Sequence, residues 1–428
     1  MNDADPSSAA DHRLSWFDDA RLGLFVHWGH YAAAGWEASW PLVGGVVTLP
    51  HGQILSVEKY HANAHAFRPD RDAPGEWIAA AASAGMRYAV MTTRHHDGFS
   101  MWPTRHSDYH IGLGGYPGDP VREYVDACRA HGLKIGFYYS LPDWHHPDYP
   151  AFTDAAKPYV FGQYPAATKA QWSRYLNYVR AQLTELLTDY GPIDLLWFDG
   201  GWERNAETWD SEGLERLIHR LQPDVLINDR LPEHGDYATP EQFIPPTPPE
   251  GRWETCLTMN ESWGFNPDDQ HYKSSTSLIH TLCEVVGRGG NLLLNVSPDG
   301  GGHLIKPQLE RLRALARWTV AHGDAVYGTR AGLEPWQFYG PSTRRDNTVY
   351  LHLLMKPIGP VTLRGIPVKH ILGVRNLATG RTLDYASRIP VFDMLMGTDG
   401  PGEISIEVPA TELDPDATVI AVEFDQVV

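Results

Sequence analysis

The chain has 428 residues, 42% of them hydrophobic and 21% charged, with 53 acidic against 35 basic side chains and a formal charge of −18. That length exceeds one ordinary domain and fits a large domain plus a smaller one, and the composition is that of a soluble globular protein. The acidic balance argues against a nucleic-acid or anionic-membrane partner, and no run of about 18 apolar residues marks a membrane span. Cys128, Cys256 and Cys283 stand too far apart for a disulfide framework or a CxxC zinc site. The opening stretch, MNDADPSSAADHR, is polar and acidic with no apolar stretch for a signal peptide, so a cytoplasmic location is expected. The 15 Trp and 20 Tyr, against 13 Phe, suit stacking on sugar faces, although large cores use such rings too.

From residue 20 to about 325, short apolar runs alternate with longer helical patterns. Strands are expected at LGLFVHW (22–28), RYAVMTT (87–93), KIGFYYS (134–140), IDLLWFD (193–199), DVLIND (224–229), ETCLTMN (254–260) and NLLLNVS (291–297). Among the helices, GDPVREYVDACRAHG offers Asp119 as N-cap, Pro120 at the first helical position and Gly132 as the stop. TKAQWSRYLNYVRAQLTELLTDYG keeps helical spacing up to Gly191, and PQLERLRALARWTVAHG is the last such helix. Seven or eight strand–helix units predict a (β/α)8-like barrel, and the lack of a glycine fingerprint after the first strand argues against a dinucleotide-binding sheet. From about residue 336 the texture changes: TVYLHLLM, HILGVRN, RIPVFDML, GEISIEV and ATVIAVEF read as short strands between Gly, Pro and Asp turns. The expected class is α/β, a catalytic barrel over 1–335 followed by a C-terminal β-sandwich over 336–428.

In such a barrel the chemistry sits at the C-terminal ends of the strands. Those ends carry His27-Trp28-Gly29-His30, Arg94-His95-His96-Asp97-Gly98, Tyr138-Tyr139-Ser140, Trp197-Phe198-Asp199, Asn228-Asp229-Arg230 and Asn260-Glu261-Ser262-Trp263. One polar strand end can simply cap backbone groups; six in succession describe a polar, aromatic-lined pocket. The histidines invite a metal, yet there is no HxH pair, no HExxH and no carboxylate at a familiar metal spacing. Adjacent His95 and His96 would face opposite sides of a strand unless the backbone turns there. No metal or cofactor is expected, and no GxSxG elbow supports a serine hydrolase. What fits is a carboxylate pair acting on a glycosidic bond. Asp199, closing an apolar run, is one member; for the second, Glu241, Glu254 and Glu261 stand equal on the residues alone.

The segments WFDDARLGLFVHWGHY, TTRHHDGFSMW, GFYYSLPDW, LLWFDGGW, INDR, WETCLTMNESWGF and GRGGNLLLNVSPDGGG together resemble glycoside hydrolase family 29, the α-L-fucosidases, over about residues 15 to 330. The resemblance implies a (β/α)8-like barrel with a C-terminal β-sandwich. It also implies a retaining, exo-acting hydrolase that removes terminal α-L-fucosyl groups from oligosaccharides or glycoconjugates without a cofactor. Position by position, it implies Asp199 as nucleophile, from the W-x-D-x-G-W block. His27, His95, His96, Tyr138 and Arg230 are implied as ligands of fucose hydroxyls, with Trp40, Trp197 and Trp263 lining the sugar subsite. In several members the acid/base lies in a D-[FY]-x-T-x-E segment about forty residues after the nucleophile. That segment is DYATPE here, so Glu241, 42 residues beyond Asp199, is the expected acid/base, with Glu254 and Glu261 in reserve.

One departure is visible. Many members carry a Glu-Trp pair after the first strand whose Glu binds sugar hydroxyls; the matching stretch WEASWP has Ser39 before Trp40, so either Glu37 reaches in or that contact is absent. The CLTMNESWGF block leans toward the subgroup that takes branched, Lewis-type fucosides. The bland readings are a strand-end cap for Asp199, core positions for the histidines, an exposed loop for Glu241 and an ion pair for Arg230. Alternative functions are a non-catalytic fucose-binding protein or a related retaining glycosidase for another sugar. The partner in every case is a glycan, and a homo-oligomer is compatible with all of them.

Overall fold

A computed structural model describes residues 6–44, 54–71, 73–151, 153–160 and 165–427, with side chains from Arg13 onward; the start of the polar N-terminus, 1–5, lies outside the described residues. The seven apolar runs form parallel strands β1 (Leu22–Val26), β2 (Tyr88–Arg94), β3 (Lys134–Ser140), β4 (Leu195–Asp199), β5 (Leu226–Ile227), β6 (Glu254–Thr258) and β7 (Asn291–Val296). Their order in the sheet is β5-β4-β3-β2-β1-β7-β6. Apart from Lys134 every residue in them is buried, because both faces of the sheet are covered, and this is why each reads as a continuous apolar run. Parallel neighbours need crossovers, which helices such as Pro120–His131, Lys169–Thr188 and Ser275–Gly287 provide. Their ends follow the local chemistry. Asp119 accepts from Arg122 N at 3.0 Å and Gly132 closes the helix in the left-handed region, while Thr168 and Gln171 form a capping box.

Between β5 and β6 the ring is closed by an irregular segment. Tyr237 bridges Asn228, Ala238 bridges Trp253 and Glu241 bridges Cys256, each in parallel. Asp229 N donates to Tyr237 O at 3.0 Å, Glu254 N to Ala238 O at 2.9 Å and Cys256 N to Pro240 O at 3.1 Å. The eighth position of the (β/α)8-like barrel is therefore a stretch that ends on Glu241.

Antiparallel sheets begin at Arg330. One sheet has the order β12-β15-β10-β9-β8, from β8 (Arg330–Ala331), β9 (Ser342–Arg345), β10 (Thr348–Leu353), β12 (Ile371–Asn376) and β15 (Thr418–Phe424). The other is β11-β14-β13, from β11 (Val361–Ile366), β13 (Tyr385–Arg388) and β14 (Gly402–Ile406). Leu351, Leu363, Ile404, Ile420 and Val422 share one core between them, the inner layer of a sandwich. RIPVFDML is not the strand its apolar residues suggest. Val391–Met396 is a short helix, entered through Pro390 and closed by Gly397 at φ 67°, and its large side chains are exposed. The proline ahead and the glycine behind decide the matter. The sandwich is tied to the barrel by Trp318 Nε1, which donates to Ala417 O at 2.8 Å, and by Thr276 Oγ1, which donates to Asp416 Oδ1 at 2.6 Å. No helix among the described residues is long and apolar enough to cross a membrane.

Candidate active site

The C-terminal strand ends surround a cavity of about 150 Å³. Asp199 and Glu241 line it together with His27, Trp40, His95, Tyr138, Trp197, Arg230 and Trp263. Phe25, Trp202 and Cys256 complete the wall, and none of these three is singled out by the sequence reading. Trp202 was the findable one, since it closes the W-x-D-x-G-W block around Asp199, and it stands half-exposed at the rim. Larger clefts of about 650 and 640 Å³ lie along helix Lys169–Thr188 and at the opposite end of the barrel beside Lys134 and Asp194, where barrel enzymes keep stabilising rather than reacting groups.

Asp199 is the last residue of β4, and the two glycines after it have separate reasons. Gly200 turns the chain at φ 75°, a conformation that side chains with a Cβ avoid. A Cβ on Gly201 would lie 2.1 Å from Arg230 O, so only glycine lets the two strand ends come together. Tyr138 Oη donates to Asp199 Oδ2 at 2.7 Å, Arg230 Nη1 donates to Oδ1 at 2.8 Å, and His96 Nε2 lies 3.4 Å from Oδ2. Burial alone would raise the Asp199 carboxyl; the Arg230 charge and the hydrogen bonds donated by Tyr138 and Arg230 outweigh it and hold the pKa at about 2. Asp199 is thus a carboxylate kept ionised at the floor of a small cavity.

The other arm of Arg230 reaches Glu241: Nη2 donates to Glu241 Oε2 at 2.7 Å. The guanidinium stacks over Trp197, 4.5 Å from the ring centre, and Nε donates to Thr239 Oγ1 at 3.2 Å, which fixes its plane. One guanidinium bonded at both ends keeps the two carboxylate oxygens within about 8 Å of each other. Asp199 is nearly closed off at 7% exposure, whereas the Glu241 side chain is 39% exposed and stands at the mouth. The two reserve carboxylates are elsewhere. Glu254 starts β6 beneath the cavity, fully buried, accepting from Tyr88 Oη and from Trp197 Nε1 at 2.9 Å, and burial pushes it up to about 7. Glu261 pairs with His271 at 3.4 Å, outside the cavity wall.

The backbone does turn at the paired histidines. β2 ends at Arg94, Gly98 N donates back to His95 O at 3.0 Å, and the two rings come to one side with centres 4.4 Å apart. Arg94 instead points into the protein, donating to Gln182 Oε1 at 2.6 Å and Ser140 O at 2.5 Å. His95 lines the cavity; His96 lies behind Asp199, with Nδ1 2.6 Å from Ser140 Oγ, whose own proton goes to Pro142 O at 2.8 Å. Burial lowers the pKa of both rings and takes His27 to about 4, so all three are neutral imidazoles at pH 7. At the departure in WEASWP, Glu37 does not line the cavity. It accepts from Trp263 N at 2.7 Å and Gly264 N at 3.0 Å, pinning the loop that carries Trp263, and burial raises it to about 8. Ser39 is buried beneath His95, its Oγ 2.5 Å from Nδ1. Among the described residues no group of three or more His, Cys, Asp and Glu is arranged to hold a metal ion.

The family described as "Alpha-L-fucosidase" matches residues 3–324. A tissue alpha-L-fucosidase of Mus musculus is 29% identical over 96% of this chain and 90% of its own length. The solved structure of alpha-L-fucosidase isoenzyme 1 from Paenibacillus thiaminolyticus superposes with a TM-score of 0.83 at 36% identity, covering 98% of this chain and all of that one. A Bacteroides thetaiotaomicron alpha-L-fucosidase, trapped as a covalent intermediate with 2-fluoro-fucosyl fluoride, superposes at a TM-score of 0.81 and 25% identity over 96% of each chain. The chain belongs to the α-L-fucosidase family.

Proposed function

We propose that the protein is a retaining, exo-acting α-L-fucosidase in which Asp199 is the nucleophile and Glu241 the acid/base. The observation that carries this reading is the single guanidinium of Arg230 holding both carboxylates at the edge of a one-sugar cavity. A volume of about 150 Å³ suits one monosaccharide and leaves the rest of a glycan outside, past Glu241 and Trp202, which supports removal of terminal residues. His27, His95, Tyr138, Trp197 and Trp263 supply polar and flat apolar surface for the sugar, with Trp40 beside the histidines.

In the first step Asp199 attacks the anomeric carbon and forms a β-fucosyl ester, while Glu241 gives its proton to the departing oxygen. Glu241 must leave Arg230 to carry that proton, and its exposed position gives it room. Once Asp199 is an ester its charge is gone, and Arg230 pairs with Glu241 alone. Glu241, left as a carboxylate by the first step, takes a proton from water as water opens the ester and restores Asp199. No cofactor enters this sequence.

The barrel over 1–335 carries the chemistry in this reading and the sandwich buttresses it. The reading extends to a cytoplasmic location, which the free state of Cys128, Cys256 and Cys283 supports, and to a homo-oligomer, which the exposed apolar side chains of helix Val391–Met396 support. The test is proton NMR of a 4-nitrophenyl α-L-fucoside digest, with a Lewis-type oligosaccharide in parallel. Release of α-fucose first supports the proposal. β-Fucose first would make the enzyme inverting, and fucose binding without turnover of either substrate would make it a binding protein.

A further inference from the structure

We propose that Ser39 and Asn295, buried behind the cavity wall, fix opposite ring tautomers on His95 and His27, so that the bound sugar meets one N–H donor and one bare nitrogen side by side. The inference rests on the reading of the cavity as a sugar site, but the tautomers follow from hydrogen-bond capacities alone. The amide of Asp97 can only donate, and it points at Ser39 Oγ from 3.0 Å, so that oxygen accepts. The hydroxyl proton of Ser39 then has one acceptor within reach among the described residues, His95 Nδ1 at 2.5 Å. Ser39 is buried, and a hydroxyl proton left there without an acceptor is costly, so Ser39 donates, Nδ1 is the bare nitrogen of His95, and the ring proton sits on Nε2.

His27 is held the other way. Asn295 Nδ2 donates to Trp263 O at 2.9 Å, which fixes the amide's orientation and turns Oδ1 toward His27 Nδ1 at 2.7 Å. A carbonyl oxygen can only accept, so His27 carries its proton on Nδ1 and leaves Nε2 bare. Both rings line the cavity with centres 5.7 Å apart, and both Nδ1 edges are occupied by the residues behind them. The Nε2 edges are what remains for a ligand. A hydroxyl placed between them accepts from His95 and donates to His27 at once. A hydrogen satisfies neither nitrogen and a fluorine can satisfy only the donor, so the pair selects for a true hydroxyl. Ser39 and Asn295 are positioning residues in this scheme, acting through the histidines without touching sugar.

The deciding experiment uses full-length protein labelled with 15N-histidine, free of sugar, in long-range 1H–15N correlation spectra assigned through His27→Asn and His95→Asn. His95 is expected to show a protonated Nε2 and a bare Nδ1, and His27 the reverse; Ser39→Ala should give His95 a mixed tautomer and leave His27 unchanged. Identical tautomers on the two rings, or a His95 signature indifferent to Ser39→Ala, would overturn the proposal. Should Ser39→Ala fail to fold, the wild-type spectrum still decides. Because no sugar is present, this result stands apart from the fucosidase reading, which fails separately if fucosides are neither bound nor cut. For activity, kcat/KM on 4-nitrophenyl α-L-fucoside should fall about tenfold or more in Ser39→Ala, with partial recovery in Ser39→Thr. In a series of monodeoxy and monofluoro fucosides, one hydroxyl should matter less to Ser39→Ala than to the wild type; equal losses throughout would refute the role assigned to Ser39.

Discussion

Replacing Tyr138 by Phe isolates one of the groups that keep Asp199 ionised. The phenol is 1% exposed and donates to Asp199 Oδ2 at 2.7 Å. Phe keeps the ring, stacked between His95 at 5.4 Å and Trp197 at 5.7 Å, so the substitution removes the donor and little else. A hydrogen bond to a charged acceptor contributes about 1.5–3 kcal/mol, and one pKa unit corresponds to about 1.4 kcal/mol. Since the donor favours the charged form, its loss raises the Asp199 pKa, from about 2 to between about 3 and 4. Arg230 still holds the group as a carboxylate at neutral pH. The acid limb of kcat/KM reports the free enzyme's essential base, so it moves upward by the same 1 to 2 units or so. The assay is the pH profile of 4-nitrophenyl α-L-fucoside hydrolysis for both proteins. The wild type should stay level down to the lowest pH it survives, while Tyr138→Phe should lose activity below about pH 4. An acid limb that stays in place or moves down would refute the electrostatic account of Asp199.

Azide separates the two carboxylates: it should restore turnover to Asp199→Asn as the β-fucosyl azide and to Glu241→Gln as the α-anomer, and the same anomer from both would contradict the assignment. Glu241→Gln should also lose about 10²–10⁴-fold on fucosides with poor leaving groups and much less on the fluoride, read from kcat for each. Buried Glu254, raised to about 7, holds a proton in the folded state that the unfolded chain has released, so its contribution to stability falls as pH rises from about 4.5 to 7, by roughly 3 kcal/mol. Buried neutral histidines such as His27 act in the opposite direction, so the readout is the stability difference between wild type and Glu254→Gln, which should grow in favour of the variant over that interval. Gly201→Ala forces a Cβ against Arg230 O and should lower Tm and cut kcat/KM together; an unchanged Tm would show that the two strand ends are not in contact.

Much of this is legible in the sequence. Parallel strands covered on both faces carry uninterrupted apolar runs, and the polar residue that breaks each run marks the strand end, which is how His27, Tyr138 and Asp199 could be placed around one pocket. The stretch from Tyr237 to Glu241 was not legible as a strand, because it holds its place through isolated bridges and contains Pro240, so nothing in its pattern announces that it closes the barrel. The choice among Glu241, Glu254 and Glu261 had the same origin: only the closed ring brings the first to Arg230 and sets the second beneath Trp197. Val391–Met396 misled because its adjacent apolar residues imitate a buried strand while lying on the surface. Ser39 looked like a missing contact, since a sequence cannot show that a side chain lies behind a histidine rather than beside a ligand.

The most direct test of the central claim is covalent labelling. Incubation with 2-fluoro-fucosyl fluoride, followed by proteolysis and mass spectrometry, should place one fluorofucosyl group on the peptide containing Asp199, and on that carboxylate within it. A label on Glu241, or an unlabelled protein that still hydrolyses fucosides, would contradict the account.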